Sequence, residues 1–170
     1  MILFWNYWRE GTLPRLAFEF LLYTGLRCSD ACRVGYPHLK GNILSIQTQK
    51  VGTIVTVEIP EIVMKLLAIT PTGKETFTVN REKEKMNSFQ FSQWFREKAQ
   101  QAGVNKSAHG VRKLSAILSV ELGSTSHDLM ATYGWKSISQ AEAYTKGADR
   151  IQLGIKTSRR MADSLTISEL

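Results

Sequence analysis

The stretch from residue 107 to residue 146 gathers four side chains that could hold and attack a phosphate. His109 and Arg112 stand at the head of an apolar helix, and Trp135 follows in a Gly-Trp-Lys-Ser turn. Tyr144 lies nine residues beyond Trp135. A guanidinium and an indole N–H can donate to phosphate oxygens, an imidazole can move a proton, and a phenol can act as a nucleophile.

Taken singly, each of these residues has an ordinary structural interpretation. The histidine could simply begin a helix, and the arginine could be a surface charge. A tryptophan is commonly a core residue, and a tyrosine followed by Thr-Lys could lie on an amphipathic surface. The chemistry therefore depends on whether other parts of the chain bring further groups to the same place.

Composition limits the class of protein. The chain has 170 residues, enough for one domain with a real core, and 43% of them are hydrophobic. Its net charge of +7 suggests a polyanionic partner, most often nucleic acid. Cys28 and Cys32 are spaced to share a helix face, where packing is the expected role. Cysteine usage therefore favours no oxidising compartment.

The chain is expected to be cytoplasmic and to have no membrane partner. No apolar run approaches the roughly 18 residues that a membrane span needs. The first residues lack the basic region and the cleavage site of a signal peptide. Residues 1–11 are rich in aromatic side chains and are predicted either to form a helix that packs on the body or to be the end of a linker.

Helical periodicity dominates the pattern. Pro14 and Gly25 bracket a buried helix over 14–23, and a short helix is predicted to begin at Ser29 and Asp30. Further helices are predicted after Pro60, over 88–102 and over 108–122. Capping boxes at 125–128 and 137–140 are predicted to begin two more, and the second of these carries Tyr144.

Two segments show β alternation instead. Residues 43–48 and 53–59 are joined by a turn that contains Gly52, which predicts a β-hairpin with Lys50 at or beside its tip. Residues 76–79 are predicted to form a short third strand. The expected fold class is therefore mainly α with a small antiparallel β-sheet, that is, α+β.

Read in order, several segments resemble the catalytic domain of the tyrosine recombinase (phage integrase) family. They are T-G-L-R-C-S-D, the Lys50 hairpin, H-G-V-R-K, Y-G-W-K-S-I-S and A-Y-T, and they extend the resemblance over roughly residues 14–150. Each motif is weak alone, and the order and spacing make the pattern specific. One departure is Tyr133 before Gly134, where leucine is commoner, and it is interpreted as an exchange of one apolar residue for another.

The resemblance implies a role for each matching residue. Arg27 and Arg112 would clamp the phosphate, and His109 would be the histidine of the H-x-x-R motif, which reads H-G-V-R-K here. Lys50 would protonate the leaving 5′-oxygen, and Tyr144 would be the nucleophile. Trp135 falls where many members have histidine, and its N–H can hold a phosphate oxygen but cannot carry a proton. Asp30 falls at an acidic position of the first motif, where it would orient Arg27 or His109.

The implied function is site-specific cleavage and rejoining of double-stranded DNA through a 3′-phosphotyrosyl intermediate. Two arginines can neutralise the phosphate, and the sequence has no Asp/Glu cluster typical of two-metal sites, so neither a metal nor a cofactor is expected. Three alternatives stay open. They are relaxation of DNA by a type IB topoisomerase-like enzyme, a non-catalytic DNA-binding remnant of a mobile element, and a basic helical protein without a nucleic-acid role.

The resemblance also suggests how the chain is organised. Residues 1–160 would be the catalytic domain, and the N-terminal DNA-binding domain usual in the family would be absent. The amphipathic tail, residues 161–170, would dock on a neighbouring subunit in a homotetramer on DNA. The alternative is that this tail packs on its own body or has no fixed structure.

Overall fold

A computed structural model describes residues 1–146 and 150–167, and it has the predicted mainly α architecture with a small antiparallel sheet. The helices are α1 (Ile2–Tyr7), α2 (Leu13–Thr24), α3 (Cys28–Ala31), α4 (Glu61–Ile69), α5 (Ser88–Gln101), α6 (Ala108–Glu121), α7 (Ser126–Tyr133), α8 (Ile138–Thr145) and α9 (Arg150–Ile167). The strands are β1 (Leu39–Lys40), β2 (Ile43–Gln47) and β3 (Ile54–Glu58). A single turn of 3₁₀ helix, Tyr36–His38, precedes β1.

The main core is built around α2. Pro14 lies in its first turn and Gly25 ends it in the left-handed conformation, as the sequence predicts. The aromatic N-terminal segment folds back onto this core as α1. Phe4 is buried there, and its ring centroid lies 4.7 Å from that of Phe18 and 5.8 Å from that of Phe95. The helix alternative for residues 1–11 is therefore the correct one.

The predicted hairpin is present, and its strands pair antiparallel in the order β1-β2-β3. Leu44 pairs with Val57 and Ile46 with Val55, and alternate residues of β2 point into the core. The prediction of a third strand over residues 76–79 is wrong. The structure has β1 in that role, and residues 76–79 contribute only an isolated bridge from Val79 to Lys85.

A second apolar cluster lies beside the main core, where α6, α7 and α8 meet. It contains Ala116, Val120, Leu129, Tyr133, Trp135 and Ala141, with Met130 and Tyr144 packed against it. The capping box of α7 is confirmed, because Thr125 and Asp128 exchange hydrogen bonds. The predicted box at the start of α8 is wrong: the Ser137 hydroxyl bonds to that of Ser139 and caps no backbone N–H.

The last described helix, α9, contacts the carboxyl end of α6. Lys156 Nζ donates to the carbonyl of Glu121, at the carboxyl end of α6, over 3.4 Å. Ile155 and Met161 are exposed. Residues 168–170 of the predicted tail lie outside the described residues. No helix in the described parts is long and apolar enough to cross a membrane.

Candidate active site

Arg112 lies between the main core and the second apolar cluster and forms hydrogen bonds to a residue beside each. It lies on α6 and is only 5% exposed. One terminal nitrogen, Nη1, donates to the carbonyl of Gly25, and the other, Nη2, donates to the carbonyl of Tyr133 over 2.9 Å. Burial lowers the Arg112 pKa to about 10, and the like charge of Arg27 adds to this effect. The guanidinium therefore remains charged at neutral pH without a carboxylate bonded to it in the described parts.

Three aromatic rings form a stack beside this guanidinium. Tyr133 and Trp135 have ring centroids 5.0 Å apart, and Trp135 and Tyr144 have centroids 5.3 Å apart with planes only 13° from parallel. The guanidinium carbon of Arg112 lies 5.2 Å from the Tyr133 centroid and 5.6 Å from that of Trp135. The Trp135 indole N–H has no hydrogen-bond partner among the described residues. The stack thus places Tyr144, Trp135 and Arg112 together.

Positive charge accumulates around the start of α6. Partial burial lowers the pKa of His109, and the neighbouring charges of Lys113, Arg112 and Arg27 lower it further. His109 is therefore neutral at pH 7 and is able to accept a proton. Arg27 is half-buried, and its Nη1 is buried with no hydrogen-bond partner in the described part of the chain. Two guanidiniums and a neutral imidazole can receive an anion here.

The Lys50 hairpin is held close to these elements by two contacts. The backbone N–H of Gln49 donates to Asp30 Oδ1 over 2.7 Å. Near the turn of the hairpin, Gly134 packs so closely that a Cβ on it would lie 2.9 Å from Val55 and 3.2 Å from Thr48. Lys50 itself is exposed at the turn. Its exposed side chain therefore starts from an anchored backbone.

Asp30 is buried, and its bonding differs from the role suggested by the resemblance. Its Oδ1 accepts from Gln49 and lies 3.7 Å from Nη1 of Arg33, while Oδ2 is buried without a hydrogen-bond partner in the described parts. The structure thus connects Asp30 to the hairpin rather than to Arg27 or His109. Its role in catalysis stays a prediction.

Most predicted site residues meet in one region. Arg112, Trp135 and Tyr144 are in one contiguous stack, and the charges of Arg27 and His109 act on that region. Among the described residues, Lys50 is linked to it through the hairpin backbone. Sequence reasoning missed Gly25, whose carbonyl binds Arg112, and gave Tyr133 no role. The only available signal for Tyr133 was its departure from the commoner leucine.

Within the described parts of the chain, no group of three or more histidine, cysteine, aspartate or glutamate side chains comes together to hold a metal ion. Cys28 and Cys32 are free thiols, and burial raises the pKa of each. Metal-free catalysis remains a prediction of the sequence.

Comparison with known proteins gives a consistent result. The family model described as "Phage integrase family" matches residues 7–150. A lambda integrase dimer bound to a COC′ core site is similar in structure, with a TM-score of 0.65 and 22% identity, over 75% of this chain and 52% of that chain. XerA recombinase has a TM-score of 0.65 and 18% identity, over 91% and 65% of the two chains.

A third similar structure is the Tn1549 transposon integrase in complex with a circular intermediate DNA. Its TM-score is 0.65 with 14% identity, and the match covers 85% of this chain and 57% of that chain. No curated protein sequence matches. The chain thus spans about half to two thirds of the length of these three relatives, and at such identities the likeness establishes the fold.

Proposed function

The chain belongs to the phage integrase family, and from that premise we propose that it cuts and rejoins DNA strands at a specific site through a bond between Tyr144 and a DNA 3′-phosphate. One observation carries the proposal. The buried guanidinium of Arg112 lies against the same tryptophan ring that stacks on Tyr144, so an anion-binding group and a nucleophile share one surface. Phosphodiester cleavage needs both groups together.

The charge developing on the phosphate would be met by the two arginines. Arg112 keeps Nε–H and one proton on each terminal nitrogen beyond its two carbonyl bonds. Arg27 would bring its unpartnered Nη1, and the Trp135 indole N–H would hold one further oxygen. These donors are held by the fold before the reaction starts, which is the arrangement that lowers a barrier most.

Proton transfer would be divided between two residues. His109 is neutral and can accept a proton as the Tyr144 oxygen bonds to phosphorus and the bond from phosphorus to the 5′-oxygen breaks. Lys50 would protonate that leaving oxygen, which becomes a free 5′-hydroxyl. A 5′-hydroxyl can later attack the phosphotyrosyl bond and release Tyr144. The strand is thereby resealed without ATP.

A nicked-substrate experiment tests the proposal. The 170-residue chain is incubated with a library of duplexes whose sequence is randomised around a nick, so that the short 5′-hydroxyl fragment released by cleavage diffuses away. We expect an adduct that survives SDS, retains a 5′ label and gives a nucleotide-modified peptide containing Tyr144. The absence of any adduct, or attachment through a 5′-phosphate, would contradict the proposal. Relaxation of supercoiled DNA without a specific site would favour the topoisomerase-like alternative.

DNA is the proposed partner, and the chain would grip it mainly by its phosphates. The net charge is +7, and cations surround the start of α6. Such contacts make affinity fall steeply as salt rises, because condensed counterions are released on binding. Structures of relatives were determined with DNA, among them a lambda integrase tetramer bound to a Holliday junction.

We further propose that the end of the chain links subunits on DNA. Among the contacts of α9 with its own body is a weak, exposed bond from Lys156 to the end of α6. An exposed charged contact of this kind contributes little free energy. Its exposed Met161 offers an apolar contact to a neighbour.

Two single substitutions on α9 test this link. Met161→Asp should reduce the DNA-bound assembly from tetramer to smaller species, because a charge would be buried in the subunit contact. The matched control is Ser158→Asp, which adds the same charge at another exposed position of the helix. Mass photometry of the DNA complexes gives the measurement. Unchanged assembly in Met161→Asp and in a chain lacking residues 161–170 would contradict the proposal.

A further inference from the structure

Tyr133 occupies the centre of the site without facing the substrate. Its side chain is only 1% exposed. One face of the ring stacks on Trp135, the guanidinium of Arg112 lies 5.2 Å from its centroid, and its carbonyl accepts from Arg112 Nη2. The residue thus contacts two of the groups proposed to bind the phosphate.

The Tyr133 hydroxyl is tied to the helix that carries Arg112. Its oxygen lies 2.6 Å from Ser115 Oγ and 3.1 Å from Ser119 Oγ. Ser119 already donates its proton to the carbonyl of Ser115, so it can only accept from the tyrosine. Tyr133 therefore donates to Ser119 and accepts from Ser115. This small network is satisfied and directional, which fixes the ring against α6.

The Tyr133 ring also meets the end of α2. Gly25 has a φ of +59°, and a Cβ on it would overlap the Tyr133 ring. The Gly25 carbonyl accepts from Arg112 Nη1. The ring therefore packs against the backbone segment that supplies one guanidinium acceptor, while its own residue supplies the other.

We propose that Tyr133 is a positioning residue that sets the placement of Arg112 and Trp135 for phosphate binding, an inference that rests on the proposed function. A leucine at this position would keep the core apolar but would offer no flat face to Trp135 or Arg112. It would also lose both bonds to α6. The exchange of leucine for tyrosine is therefore not neutral in this chain.

The test compares Tyr133→Leu with Tyr133→Phe in single-turnover adduct formation at saturating DNA. Because a displacement of about 1 Å can cost on the order of 100-fold in rate, we expect Tyr133→Leu to be slower by roughly 10- to 100-fold. DNA affinity should change by less than about twofold, since the substitution removes no charge and affinity depends mainly on charge. Tyr133→Phe keeps the ring and should retain the rate within about fivefold.

A matched control separates positioning from stability. Phe91→Leu makes a similar change at a fully buried aromatic ring of the main core. It should lower the melting temperature without lowering the rate per folded molecule. If Tyr133→Leu behaves in the same way, the residue is merely structural and the proposal is overturned.

A double-mutant cycle identifies the group through which Tyr133 acts. Adding Tyr133→Leu to Arg112→Lys should change the rate by less than about twofold, because residues that act as a unit are not additive. Two fully multiplicative effects would contradict positioning through Arg112.

A second readout does not depend on DNA cleavage. Rotation of the Arg112 guanidinium about its Nε–Cζ bond, followed by ¹⁵N NMR, should be slow in the wild-type chain and faster in Tyr133→Leu. Equal rotation in both chains would overturn the positioning role. If the wild-type chain forms no DNA adduct while the rotation still differs, the proposed function fails and the positioning role stands.

Discussion

Tyr144→Phe is expected to abolish covalent attachment to DNA while leaving the fold intact. The substitution removes the phenolic oxygen that is proposed to bond to phosphorus and keeps the ring that stacks on Trp135. Loss of a nucleophile lowers turnover by on the order of 10⁴-fold or more, so no SDS-resistant adduct should form. The free energy of unfolding should change by less than about 0.5 kcal/mol, because the stacking is kept. Gel analysis of the nicked-substrate reaction and thermal unfolding measure the two quantities.

Tyr7→Phe is the matched control, because it makes the same chemical change at an exposed tyrosine of α1. It should form the adduct at the wild-type rate. DNA affinity of Tyr144→Phe should also equal that of the wild-type chain, since no charge is lost. An adduct that persists in Tyr144→Phe would show that another residue is the nucleophile, and the assignment would then be wrong.

Much of the fold could be predicted because local signals and tertiary packing agree. Pro14 and Gly25 fix the ends of α2, and the alternation on both sides of Gly52 fixes the hairpin. The third strand was misplaced because strand formation depends on a partner more than on composition. Phe77 gives its N–H to the carbonyl of Val34, a loop residue, and Val79 forms only an isolated bridge with Lys85.

Only the site residues that belong to sequence motifs could be predicted. The order of the motifs identified Arg112, Trp135 and Tyr144, which the structure stacks together. The spacing of residues within a motif does not indicate which segments far apart in the sequence contact each other. The bond from Gln49 to Asp30 joins positions 19 apart, and that from Arg112 to Gly25 joins positions 87 apart. These contacts determine where the hairpin and the guanidinium lie.

Gly25 shows how one residue can carry both kinds of information. The sequence marks it correctly as the end of α2, where a left-handed conformation is common. The structure adds that its carbonyl binds Arg112 and that its missing Cβ makes room for Tyr133. The residue that ends α2 thus also contacts two residues of the site. No local sequence pattern distinguishes a glycine that only ends a helix from one that also makes such contacts.

The site is organised around a buried charge that protein groups only partly satisfy. Arg112 is held by two carbonyls and two aromatic faces, and its burial lowers its pKa without neutralising it. Buried cations are costly unless paired. A phosphate that enters beside Arg27 and Arg112 would supply the missing negative charge. The attraction between the buried positive charge of Arg112 and the phosphate would thus contribute both to DNA binding and to catalysis.

Arg112→Lys should therefore lose most of the rate while keeping the charge. A lysine has one ammonium group and cannot bind the carbonyls of Gly25 and Tyr133 while also donating twice to a phosphate. Removal of one preorganised donor costs about 10²- to 10³-fold in rate, so we expect a loss of roughly 10³-fold or more. The slope of DNA affinity against salt should not change, because the charge is retained.

Arg9→Lys, the same exchange at an exposed position between α1 and α2, is the control and should be silent. Single-turnover adduct formation and binding at several salt concentrations separate the possible outcomes. A rate within tenfold of wild type would show that the paired geometry of the guanidinium is not used. A fall in DNA affinity as large as the fall in rate would place Arg112 in ground-state binding. Only a selective loss of rate fits a guanidinium that acts on the transition state, because such a group stabilises charge that the bound DNA has not yet developed.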